Sequence, residues 1–139
     1  PNAYWFRAHS LTQLGRHAEA VAALRQAVAL SPAPLFRAAL AFALARHQAR
    51  SEASQILQDL SQSVGPPAVS PVDLAMIHAA LGQRDAALEA LEVAWRRHDV
   101  RLQSLGPEFD SLQSDPRFTA LLQRIRARGL ARGDSTATP

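Results

Sequence analysis

The chain has 139 residues, which fits one domain able to bury roughly two-thirds of the surface its unfolded form exposes, without covalent staples. Cys is absent, which excludes a disulfide framework, a thiolate nucleophile and a Cys-based zinc site, and mildly favours a reducing compartment. Net charge is only +3, and because all 15 basic residues are Arg, the high isoelectric point reflects missing Lys and not a strong positive field.

Apolar residues make up 47% of the chain but are broken at short intervals by Arg, Gln, Glu and His. No stretch approaches the roughly 18 apolar residues of a membrane span, so a soluble, cytoplasmic protein without a membrane role is expected. The chain begins with Pro1 and has no basic segment followed by an apolar run. No signal peptide is therefore expected, and a longer parent protein is.

In chain order, a helical pattern is predicted over 3–14, followed by Gly15, where a left-handed residue ends the helix. The segment from Gly15 to Pro32 places Ala20, Leu24, Ala27 and Val28 on one helical face. A second pair starts with a helix over 34–47, whose Pro34 can occupy the first turn without losing a hydrogen bond. The segment Gly65 to Pro71 cannot continue a helix and is predicted to be an extended loop. Ser70 then caps a helix over 71–81, Gly82 turns the chain, and the next helix carries Ala87, Leu91 and Ala94. Residues 99–104 are predicted as a connector and 107–112 as a short helical turn. Asp115 and Pro116 open a final helix over 116–128, with Phe118, Leu121, Leu122 and Ile125 on one stripe. A frayed tail is expected over 129–139.

These elements repeat. Gly15, Ala20, Leu24, Ala27 and Pro32 recur as Gln48, Ala53, Leu57, Leu60 and Gly65, and again as Gly82, Ala87, Leu91, Ala94 and Asp99. Small residues at Ala20, Ala53 and Ala87 let two helix axes approach closely.

With Gly15 at the turn, Ala8, Ala20 and Ala27 at helix crossings, Pro32 near the end and Tyr4 at the usual Trp position, the first unit resembles a tetratricopeptide repeat. The second unit, with Gln48 and Leu60 in place of Gly and Ala, resembles it mainly by spacing. Residues 70–125 resemble the end of the tetratricopeptide regions of bacterial multidomain regulators, in which a cyclase, a Ser/Thr kinase or a winged-helix domain precedes the repeats. Ser114, Asp115, Pro116, Arg117 and Phe118, with Leu121 and Leu122, carry that similarity, while Gly106 stands before Pro107 where Asp is common.

The resemblance implies an all-α fold: a right-handed superhelix, or α-solenoid, of three helix-turn-helix repeats and a C-terminal capping helix. Residues 1–128 form one domain on this reading, with repeats at about 1–33, 34–67 and 68–101. It implies a non-catalytic protein-protein interaction module that takes a peptide, helix or partner domain in a concave groove lined by the first helix of each repeat. Repeat register places Asn2, Trp5, His9, Thr12 and Gln13, then Leu35, Ala38, Phe42 and Arg46, then Val72, Met76 and Ala79 on that face. Trp5, His9, Gln13, Phe42, Arg46 and Met76 are the candidate partner-binding residues. The alternative for Trp5 and Phe6 is that they cover the end of the first repeat or pack on an upstream repeat, and for Phe42 that it is core. The Lys and Asn clamp of chaperone-binding members is missing.

His9, His17, His47, His78 and His98 make no metal-ligand signature, and no P-loop, nucleophile elbow or zinc-helix motif occurs, so no enzyme, cofactor or small-molecule substrate is expected. Two rival readings stand beside the groove: a structural or self-associating spacer, and nucleic-acid contact through Arg96, Arg97 and Arg101 with Arg124, Arg126 and Arg128. The tripeptide Arg132-Gly133-Asp134 is read as a chance occurrence.

Overall fold

Three helix pairs follow one another along the chain. The computed structural model describes residues 2–62 and 69–136, with the side chains of Asn2, Trp5 and residues 130–136 outside that description. The pairs are α1 (Asn2–Gln13) with α2 (His17–Leu30), α3 (Pro34–Arg46) with α4 (Arg50–Gln62), and α5 (Pro71–Ala80) with α6 (Arg84–Arg96). Two 3-10 helices, η1 (Val100–Ser104) and η2 (Pro107–Leu112), lead into α7 (Pro116–Thr136). The described residues contain no strand.

One turn chemistry is used within every pair. The second residue after each first helix is left-handed, with φ of +75° at Gly15, +65° at Gln48 and +74° at Gly82. That geometry aims the next N–H back at the helix end: Arg16 N donates to the Leu11 carbonyl, Ala49 N to Leu44 and Gln83 N to His78, each at 2.9 Å. These are the six-to-one bonds that satisfy otherwise orphaned C-terminal carbonyls. Gln48 adopts the conformation despite its Cβ, at a cost of about 1–2 kcal/mol, because the hydrogen-bonded turn demands it. His98 repeats the device after α6, at φ +55°.

Helix starts are equally local. The Ser70 hydroxyl accepts from Val72 N, with Pro71 in the first turn of α5. Asp115 Oδ1 accepts from Arg117 N at 2.9 Å ahead of α7. Ala20, Ala53 and Ala87 are fully buried in the second helices, where small side chains permit close crossing.

Between pairs, α3 packs on α2 and on α5. Two buried clusters result. One joins α1–α4 through Leu11, Leu24, Leu40, Leu44, Leu57 and Leu60, and reaches Ile77 and Leu81. The other joins Val72, Ala75, Ala79, Leu88 and Leu91 to Leu102, Phe109, Leu112, Phe118 and Leu121. Cross-repeat polar links reinforce the stack. Arg25 and Glu52 form a two-bond pair between α2 and α4 at 2.6 and 2.8 Å, and Arg50 donates to the Leu81 carbonyl at the end of α5.

The last helix differs from expectation. Predicted to end at 128, α7 continues to Thr136. A Cβ added at Gly129 would meet nothing within 4 Å, and a lone Gly costs a helix only about 1 kcal/mol, too little to stop it. Residues 137–139 of the expected tail lie outside the described residues, as do residues 63–68 of the expected loop. The connector predicted over 99–104 is a 3-10 helix, because the Asp99 carboxylate accepts from Arg101 N and starts a turn.

Candidate functional site

Helical spacing carries the first helices' side chains to a common side. His9, Thr12 and Gln13 on α1, Leu35, Ala38, Phe42 and Arg46 on α3, and Met76 and Ala80 on α5 recur at intervals of three, four or their sums. Between them opens a groove of about 760 Å³. Its depth comes from small side chains, with buried Ala8, Ala38, Ala43 and Ala79 where larger residues would fill the space. The η2 helix walls the α5 side with Pro107, Glu108, Asp110 and Ser111.

The structure thus brings His9, Gln13, Phe42, Arg46 and Met76 to one hollow. The side chain of Trp5 lies outside the described residues, as does that of Asn2. Val72 is not at the groove: it is 3% exposed and belongs to the second core cluster. The stripe of α5 that lines the hollow runs through Asp73, Met76 and Ala80, with Ala79 beside it. Phe42 serves two surroundings, half-buried against the first core cluster and lining the groove. The Arg46 guanidinium lies 5.7 Å from its ring centroid, a cation–π contact that holds the charge over the hollow.

Charge is unevenly distributed around the rim. Arg46 and Arg101 are the lining arginines, whereas Asp73, Glu108 and Asp110 all come from α5 and η2. Arg101 pairs with Asp73 Oδ1 at 2.7 Å. That hydrogen bond raises its guanidinium further above the usual value, and the fields of Asp99 and Glu108 add to the effect. Glu108 Oε2 is buried without a hydrogen-bond partner among the described residues and occupies the space that a side chain at Gly106 would need, since a Cβ there would meet it at 2.5 Å. Sequence reasoning missed these acidic residues. The usable signal was Pro107 after Gly106, which starts a helical turn, and Asp73 three residues before Met76 on one face.

Three arginines of the Arg-rich end, Arg101, Arg124 and Arg128, are engaged within the chain. Arg124 pairs with Glu92 and lies 5.1 Å from the Trp95 ring centroid, with Arg128 at 3.4 Å. Arg117 bridges Asp115 at 2.9 Å and Asp85 at 2.7 Å. Its side-chain hydrogen bond, then its backbone N–H, hold the Asp115 carboxyl below its ordinary range. His78 Nδ1 sits 2.7 Å from Gln83 Oε1 across the α5–α6 turn. Among the described residues no three His, Asp or Glu side chains gather as a metal site, and no helix is long and apolar enough to cross a membrane.

Neither the curated proteins nor the solved structures give a match to the chain. Residues 1–34 match the family profile described as Tetratricopeptide repeat. Left-handed turns at 15, 48 and 82 mark successive helix pairs among the described residues, so the helix-turn-helix pattern of the matched segment recurs beyond it.

Proposed function

We propose that this chain is a non-catalytic docking module, in keeping with the general role of tetratricopeptide repeats in protein–protein interaction, with repeats at about 1–33, 34–67 and 68–101 stacked as a right-handed superhelix. It takes a segment of a partner protein in the groove and serves a larger, cytoplasmic bacterial regulatory protein. The observation that carries this reading is the convergence of His9, Gln13, Phe42, Arg46 and Met76, from three successive first helices, on one hollow of about 760 Å³. Phe42 supplies the aromatic anchor and Met76 an adaptable apolar neighbour, residue types enriched at the cores of protein interfaces.

The test uses immobilised chain and a Phe42→Arg, Met76→Arg variant against lysate of the source cells. Both substitutions place bulky charge in the hollow while the helices keep good formers. The expected result is a retained protein lost from the variant, with far-ultraviolet circular dichroism unchanged. Equal retention by both would remove the groove from consideration.

A further inference from the structure

The groove is electrically bipolar, and that asymmetry defines its occupant. On the α1–α3 side no acidic residue lines it; Arg46 is exposed, and the contact it makes among the described residues is with the Phe42 ring. On the α5–η2 side three carboxylates, Asp73, Glu108 and Asp110, face one guanidinium, Arg101, which Asp73 already engages. Glu108 Oε2 has no hydrogen-bond donor among the described residues. That oxygen is turned against Gly106, so an incoming ammonium or guanidinium meets this pole through the exposed Asp110 carboxylate and the rest of the half-buried Glu108 carboxylate. Between the two poles the lining is Ala38, Ala39, Phe42, Met76, Ala79 and Ala80.

We infer that the groove takes an amphipathic segment of a partner protein with an apolar centre, a carboxylate that meets Arg46, and a Lys or Arg that meets Glu108 and Asp110. The inference rests on the docking reading above and deepens it. Opposite charges at the two ends also fix the direction in which the segment lies, because the reversed orientation would set like charges together.

The experiment measures fluorescence anisotropy of three fluorescein-labelled peptides, each about 16 residues long and so about 24 Å as a helix. All share one leucine face; one carries Glu at one end and Lys at the other, one Glu at both ends, one Lys at both. The bipolar peptide is expected to bind about tenfold more tightly than either uniform one, the scale of one charge-assisted hydrogen bond. Glu108→Gln with Asp110→Asn should weaken the bipolar and Lys peptides about tenfold and spare the Glu peptide. Arg46→Gln should do the reverse, weakening the bipolar and Glu peptides only. Binding that Phe42→Arg abolishes but that ignores both charge variants would overturn the bipolar site and leave docking intact. Absence of binding by all three peptides, or binding that Phe42→Arg leaves unchanged, would overturn docking itself. A sedimentation mass that doubles with concentration and excludes every peptide would make a second copy the occupant and overturn the partner assignment.

Discussion

Phe109→Ala tests whether η2 is a packed wall of the groove or a loose appendage. Phe109 is 1% exposed and stacks on Phe118, with ring centroids 6.3 Å apart and planes 28° from parallel. A buried aromatic removes at least about 150 Å² from water, which at about 25 cal/mol per Å² corresponds to about 4 kcal/mol. Removal should therefore cost about 4 kcal/mol, within the roughly 3–5 observed for such truncations and a large part of a domain's roughly 5–15 kcal/mol. Urea unfolding followed by far-ultraviolet circular dichroism measures it, and a cycle with Phe118→Ala should return a coupling of about 1 kcal/mol. Since Glu108 and Asp110 flank Phe109, the same variant should lose preference for a peptide bearing Lys. A loss below about 2 kcal/mol with an unchanged denaturant slope would refute the packing argument, because a tightly held ring cannot be removed so cheaply.

Ala87→Leu places extra methylenes in a fully buried helix crossing and should destabilise by about 1–3 kcal/mol, read as a lower urea midpoint. Gln48→Gly should do the opposite, raising stability by about 0.5 kcal/mol, since relief of the left-handed backbone exceeds the entropy lost by the added Gly. Asp115→Asn keeps a capping side chain but removes the charge that Arg117 stabilises. Because the folded carboxyl titrates below its unfolded value of about 4, its contribution is full above that pH and fades as pH falls through the folded value. The stability gap between wild type and variant should accordingly be constant near neutrality and close on acidification, as followed by thermal melts across pH.

Legibility followed the range of the interactions. The helix pairs could be read because Gly15, Gly82, Ser70, Pro34 and Pro71 act within a turn of their own positions, and Ala20, Ala53 and Ala87 mark the crossings. The end of α7 was misjudged because Gly129 has different consequences in an exposed helix and at a terminus, which one residue type cannot distinguish. On α5, reading the lining stripe one residue early put Val72 at the surface; which side of that short, almost wholly apolar helix faces the core is decided by α6 and η2 packing against it. The acidic wall was hidden for a related reason. Glu108 and Asp110 lie outside the repeat period, and only the docking of η2 on α5 brings them to the groove.

Linear repeat arrays ordinarily melt from their ends, each unit leaning only on its neighbours. Here α5 contributes Ile77 to one apolar cluster and Val72, Ala75 and Ala79 to the other, so it forms the seam through which the two halves share support. Detaching either half strips one flank of this helix and weakens the hold of the remaining half. Its amides should exchange with solvent only when the entire chain opens, making the middle of the molecule a latch that turns a modular stack into a single cooperative unit.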